Sequence, residues 1–547
     1  MKRTVLIIMA VLAVYVSSLA TPPATADTVK VAKQAKKALK LMKKDNEKDR
    51  QKGFAMYRDA AYNGLSSAQR KLFDFYMSQT PPVEDEAVAM ASMLADEGDA
   101  YYQYVLGSYY LHVDSLSSAP RNEILGARYM KEAADNGVEE AAVSYGICLI
   151  GGYGCNVDYD AAERYFLMAA DKGNAEAQDY LGEMYHTERY GRVDFEKGFR
   201  YTKLAAEQGN ELAIFNLGCL YMRGEGVKKD LDEAIYWFTK SAGLGNAKAK
   251  NNLAVVMEEK NGKSDESLFL LRKSADEGNA VAQYNLGLSY QEGTQLAKND
   301  EVAFSLFRKS ADQGCAPGQR ELGRAYLNGL GTLADSALGF KWLEKAALQN
   351  DSTACVYLAY CYFTGEGTEK DENLGFVYVK KAADMGAALG LYAMGSCYLS
   401  GKGVAKSEET GFRYIKQAAD MCNVAACEEL IYLYVSGVGT EKNARLAVAY
   451  GKKALELGSE NKGAIYYNIS FAYGDTDKKT RNEYLCEAAE LGCPAALINY
   501  GLYLYYGDGM PKNEKKAKEC FQKCALQSDN PEASAKAKEI IKEIWNK

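Results

Sequence analysis

The chain repeats itself, and that constrains its fold more tightly than any property of its composition. The mark A-A-x-x-G recurs as Ala133-Ala134…Gly137, Ala169-Ala170…Gly173, Ala205-Ala206…Gly209, Ser241-Ala242…Gly245, Ser274-Ala275…Gly278, Ser310-Ala311…Gly314 and Ala382-Ala383…Gly386. Its glycines stand 36 residues apart from 137 to 173, 209 and 245, then 33 to 278 and 36 to 314. Degenerate copies precede it at Ala60-Ala61…Gly64 and Leu94-Ala95…Gly98. Others continue it at Ala346-Ala347…Asn350, Ala418-Ala419…Cys422, Ala454…Gly458, Ala488-Ala489…Gly492 and Ala525…Ser528. A fixed period of this size is the signature of a solenoid, so 547 residues need not mean several unrelated domains.

One unit, Asn174 to Gly209, reads as two helices joined by a turn. Ala177, Leu181, Gly182 and Tyr185 fall on one stripe of the first helix, and Gly182 leaves room for a neighbouring helix. In the second helix Ala234, Phe238, Ser241 and Ala242 of the next unit show the 3.6-residue period rather than the alternation of a strand. The pairs Gly173-Asn174, Gly209-Asn210, Gly245-Asn246 and Gly278-Asn279 join a left-handed helix end to an asparagine cap. Inside the hairpins, Gly329-Leu330-Gly331, Gly365-Glu366-Gly367, Gly401-Lys402-Gly403 and Gly437-Val438-Gly439 mark turns. These predict an all-α fold.

The succession L-G-x-x-Y, G-x-G-V, A-x-x-x-F and A-A-x-x-G at about 36 residues resembles the Sel-one-like repeats (SLR), which belong with the tetratricopeptide-like α-solenoids. The resemblance covers nearly the whole chain beyond its N-terminal segment. It implies a right-handed α-solenoid of antiparallel helix-turn-helix repeats and an adaptor that binds protein or peptide partners on a curved surface, without catalysis. Departures from the pattern fall at Leu111 to Asn122, at Lys260 to Ser264 and at Asp475 to Lys479.

The ends divide the chain further. Lys2 and Arg3, an apolar run from Val5 to Val16 and small residues at Ala24 and Ala26 have the layout of a secretory signal peptide over 1–26. The expectation is an exported protein, periplasmic, cell-envelope or extracellular. A basic helix from Thr28 to Lys44 and an incomplete first hairpin occupy 27–64, tandem repeats fill 65–530, and a capping helix at 531–547 carries Ile540, Ile541, Ile544 and Trp545. Membrane contact is at most peripheral, through the basic helix.

With 66 basic and 73 acidic residues, the formal charge of −7 provides no basic footprint for nucleic acid. Only two histidines, His112 and His186, are present, and neither metal nor cofactor is expected. Ser459-Glu460-Asn461-Lys462 spells S-x-x-K and Ser528-Asp529-Asn530 spells S-D-N, but K-T-G is missing. A penicillin-binding or β-lactamase-like hydrolase is therefore the least favoured alternative. Thirteen cysteines form no regular pairing; Cys148, Cys361 and Cys397 share one repeat position and read as core residues.

The tetratricopeptide analogy directs side chains two before, two after and five after the L-G leucine into a concave groove. It selects Phe215 and Met222, Tyr284 and Leu288, Tyr360 and Phe363, Tyr392 and Leu399, Ile431 and Tyr434, and Ile498 with Tyr505. The same rule gives an acidic set, Glu176, Asp179, Glu183 and His186, in an earlier unit. The expected partner is an extended or helical protein segment, and cell-wall glycan or peptidoglycan is the alternative, since aromatic rings serve both.

Overall fold

The computed structural model describes residues 26–79, 84–112, 122–191, 193–474, 476–527 and 530–545. The apolar leader, most of the Leu111 to Asn122 insertion and Ser528-Asp529 of the S-D-N tripeptide lie outside these. Among the described residues there are 29 α-helices, one 3-10 turn at Glu188–Tyr190 and no strand. Within each of the two units given below, consecutive helices pair as antiparallel hairpins stacked one on the next. The fold is the all-α repeat architecture that the period predicts. The chain falls into two compact units, Met1–Leu244 and Gly245–Lys547, each considered by itself below.

Small residues set the packing inside each hairpin. The glycine at the L-G position, preceded by Tyr145 and Tyr500 in two of these repeats, faces a bulky side chain of the second helix: Gly146 meets Phe166, Gly218 meets Phe238, Gly287 meets Phe307 and Gly501 meets Phe521, each so closely that a Cβ would collide with the ring. These four phenylalanines are fully buried. The double alanines that end the second helix, such as Ala205 and Ala206, are equally enclosed. Interiors this close-packed leave no room for an added methyl.

Glycine does separate work in the turns. Gly173, Gly209 and Gly245 have φ of 95°, 90° and 96°, and the asparagine that follows each caps the next helix; Asn174, for instance, accepts from the Ala177 N–H. Asn350 and Cys422 hold the same left-handed conformation without being glycine. In the G-x-G turns the second glycine also seals the stack. Gly367 lies against the Ser336 carbonyl, Gly403 against that of Glu372 and Gly439 against that of Glu408, each at the first residue of the preceding second helix.

Two irregular hairpins keep their caps by other means. Where Lys260 to Ser264 shortens a turn, Ser264 and Ser267 form a reciprocal capping box. In the turn after His186, Tyr190 replaces the second glycine and packs edge-on against Tyr159, centroids 5.1 Å apart.

A polar ladder ties successive repeats. Gln178, Gln283 and Gln319 donate to the carbonyls of Ala170, Ala275 and Ala311 at the end of the preceding helix. Their own side-chain oxygens accept from Gln208, Gln313 and Gln349 of the next repeat at 2.7–2.8 Å. Further along, the glutamine position holds Cys355, Cys427 and Leu497, and a lysine of the following repeat takes over. Lys381 donates to Ala347, Lys453 to Ala419 and Lys523 to Ala489.

The termini are covered. The helix Ala26–Met42 buries Ala35 and Ala38 while Lys33, Lys36, Lys37 and Lys40 stay exposed. At the other end Pro531–Trp545 sets Trp545 against Phe521 and Tyr505.

Two substitutions test the seams. Gly403→Ala is expected to lower stability by about 2–4 kcal/mol, because the methyl meets a carbonyl as well as a left-handed backbone, whereas Gly386→Ala, with open space around it, should cost only about 1 kcal/mol. Gln319→Leu should cost roughly 0.5–1.5 kcal/mol by removing two hydrogen bonds of the seam, since the Ala311 carbonyl still accepts from the Gly314 N–H and the exposed Gln349 amide turns to water. Urea unfolding of each variant reads both values.

Candidate functional site

In unit 2 the first helices approach one another as well as the second helices. Ala280–Glu292 lies against Ala316–Asn328, Ser352–Thr364 against Ala388–Ser400, and Val424–Ser436 against Lys462–Tyr473. Second helices make no comparable contact with each other, so the first helices stand on the tighter side of this stack. Their residues two before and two after the L-G leucine form its face.

The residues singled out by the groove rule end in different surroundings. Tyr360 is 52% exposed on that face. Tyr284 and Tyr392 are half-buried, and desolvation raises the pKa of both phenols. Phe363 turns into its own hairpin, where its ring lies against Gly375. The position five after the leucine is therefore a packing position: Leu327 and Leu399 rest on Gly339 and Gly411 in the same way. In unit 1, Phe215 is half-buried against Phe238 at 5.8 Å, and Met222 is half-buried.

Tyr434 requires a correction. It is 4% exposed, packed edge-on against Phe412 and stacked on Tyr450, and Ile431 beside it is fully buried. Both belong to the core because the groove rule is one residue out of register there: counted from Leu430, Ile431 takes the glycine position and Tyr434 the tyrosine position of L-G-x-x-Y. Tyr432, 55% exposed, holds the face position.

A charged network that the aromatic criterion passes over lies on the same face. Arg320 donates to Glu321 at 2.9 Å, to Asp351 at 2.6 Å and to the Tyr284 hydroxyl at 3.1 Å. Arg324 pairs with Glu321 at 2.6 Å and lies over the Tyr357 ring. Glu321 is buried, and this density of partners fixes both arginines between tyrosines. The signal was present in sequence, since Arg320 and Arg324 stand at the positions two before and two after Leu322.

In unit 1 the acidic set lies on the helix Ala175–His186. Burial and the charge of Glu183 push the Asp179 carboxyl up to about 6, against a lowering hydrogen bond from Asn216. His186 packs on Gly198 with both ring nitrogens buried and unpartnered, and burial lowers its pKa.

Elsewhere, Cys148, Cys361 and Cys397 are buried, which pushes their thiols up to about 12, 11 and 11. Ser459 is also buried; its hydroxyl donates to Glu428 at 2.6 Å and accepts from the Asn461 N–H. Among the described residues no group of three or more metal-ligating side chains converges, and no helix is long and apolar enough to cross a membrane.

Asp179 generates a pH dependence. Its folded pKa lies above the unfolded value, so the folded state binds the proton more tightly and stability falls as pH rises from about 4 to about 6. Asp179→Asn should remove that slope and raise stability at pH 7 by roughly 1–2 kcal/mol, read from urea midpoints across the range.

Comparison with known proteins accords with this architecture. The Sel1 repeat model matches residues 100–138, 139–174, 175–210, 212–246, 280–315, 316–351, 352–386, 388–423, 421–459 and 494–529, more than half of the chain. A protective antigen present in uropathogenic Escherichia coli strains, displaying an SLR fold, is 26% identical with a TM-score of 0.51, over 89% of this chain and 97% of that one. A Sel1 repeat protein from Oxalobacter formigenes is 25% identical with a TM-score of 0.47, over 64% of this chain and 99% of that one. No curated protein matched. The matched repeats coincide with the hairpins whose glycines, alanines and asparagine caps are described above, and the chain belongs to the Sel1 repeat family.

Proposed function

We propose that this protein is an exported adaptor whose activity is the capture of a protein segment on the first-helix face of unit 2. The observation that carries the reading is the set of tyrosines at that face's positions, Tyr284, Tyr360, Tyr392 and Tyr432, two of them more than half exposed. A tyrosine ring offers large contact area at low entropic cost together with a polar tip, the combination found at binding hot spots. The Arg320–Glu321–Arg324 network supports the same use, because it holds polar groups in fixed positions beside the rings.

Export rests on the leader-like N-terminus, and the similarity to a protective antigen is in keeping with it. A glycan would also stack on exposed tyrosine rings and is the second reading. Hydrolysis is disfavoured by the burial and hydrogen bonding of Ser459. Phe215 and Met222 lie in unit 1 and take no part in the proposed face.

Affinity capture from an envelope extract, with the chain from Asp27 as bait beside its Tyr360→Ala, Tyr392→Ala variant, tests the reading. A protein retained by the first and lost from the second, at unchanged helicity, is expected. Equal retention by both sinks the face, and retention of glycan alone, read on a glycan array, moves recognition to sugars.

A further inference from the structure

One hairpin of unit 2 inverts a rule that the others keep. The first helix carries a side chain five residues after the leucine position of L-G, and the second helix faces it with a small residue seven before the A-A-x-x-G mark. Phe363 rests on Gly375, Leu327 on Gly339 and Leu399 on Gly411, and the Glu258 carboxylate accepts from the Ser267 hydroxyl at 3.0 Å. The same two positions hold Gln291 and Ala303, Val435 and Ala447, and Tyr505 and Ala517. In the hairpin of Lys462–Tyr473 and Lys478–Glu490 they hold Gly474 and Arg481. The first helix there ends one residue before the glycine, and the long side chain stands on the second helix instead.

That exchange leaves space unfilled. Arg481 is buried, but its guanidinium is drawn to the turn of the next hairpin. There it donates to the Asp508 carboxylate at 2.8 Å and to the Asp508 carbonyl at 3.3 Å, and it lies over the Tyr503 ring, 4.0 Å from the centroid. A Cβ on Gly474 would meet only the Phe471 carbonyl, at 3.7 Å. Between the two hairpins a cavity of about 210 Å³ remains, lined by Ser470, Phe471, Leu485, Asn499 and Tyr503 together with Gly474 and Arg481. Phe471, 47% exposed, stands two after Ile469, the place that Tyr360 and Tyr432 hold in their own repeats, so the cavity borders the first-helix face.

We infer that this cavity is an anchor pocket for one aromatic side chain of the segment captured on that face. The inference rests on the capture reading and gives it a fixed point. The volume is below the roughly 300 Å³ at which pockets for whole small-molecule ligands begin, and in the hairpin of Phe363 the equivalent space takes a single ring. The walls select a ring over an aliphatic chain. Phe471 and Tyr503 offer faces and edges to a third ring, and the Arg481 guanidinium adds cation–π attraction. Asn499 donates to the Tyr467 hydroxyl at 3.1 Å, and its side-chain carbonyl, without a partner among the described residues, can accept from an indole N–H or a phenol O–H. Tryptophan and tyrosine are therefore the preferred occupants.

The probes are N-acetyltryptophanamide and N-acetyltyrosinamide, titrated against the full chain by saturation-transfer NMR, with N-acetylleucinamide and N-acetylglucosamine for comparison. Both aromatic amides should bind, roughly threefold to tenfold more tightly than the leucine amide, and Phe471→Ala should weaken them by a similar factor. Asn499→Phe, which puts a ring of the chain's own into the cavity, should abolish their binding. Circular dichroism should show unaltered helicity, and if Asn499→Phe loses helicity, Phe471→Ala decides alone because that side chain is exposed. Tyr360→Ala with Tyr392→Ala should leave amide binding unchanged. The amides report the pocket and capture from an envelope extract reports the face, so either can fail by itself. Absence of aromatic binding, equal binding of the leucine amide or of N-acetylglucosamine, indifference to Phe471→Ala, or loss of binding in the Tyr360, Tyr392 variant overturns the inference.

Discussion

Each second helix ends in a left-handed turn whose backbone N–H groups meet its last carbonyls, Gly173 at Ala170, Gly314 at Ala311 and Cys422 at Ala419, and the next repeat packs over that turn. The same carbonyls keep a second lone pair, and it is this that ties repeat to repeat. Glutamine from the next first helix donates to it at Ala170, Ala275 and Ala311, and lysine from one helix further on does so at Ala347, Ala419 and Ala489. The two donors are alternatives at any given carbonyl, and the change from one to the other alters what surrounds the seam.

Much of this was legible in sequence. The period, the two helices per unit, the asparagine caps and the left-handed glycines all depend on local backbone preferences, which a single residue type can announce. Gly182 reads as a close approach without knowledge of what approaches, and the structure supplies Thr202 as the neighbour. The second glycine of G-x-G was legible only as a turn; its contact with a carbonyl of the preceding repeat joins residues far apart in sequence.

The candidate face was less legible, for two physical reasons. Register near Leu430 is hidden because Ile431 occupies the slot that glycine fills elsewhere, and a shift of one residue placed Tyr434 on the surface when it is the buried tyrosine of L-G-x-x-Y. The outward direction assigned to the fifth residue after the leucine also fails, because a small residue on the second helix opens a hole that Phe363 and Leu399 fill. Charge was overlooked for another reason. Arg320 and Arg324 look like ordinary surface residues until Glu321, Asp351 and Tyr284 are brought around them.

The seams described here join only adjacent repeats. A glutamine reaches back one helix, a turn glycine rests on the preceding second helix, and a lysine reaches the carbonyl just before its own hairpin. Among the described residues of either unit, then, no hydrogen bond skips a neighbour, and excision or duplication of one whole 36-residue period would reconnect like with like. Length becomes a variable that recombination can change without inventing a new core, and a lineage built this way can lengthen or shorten its binding surface by copying.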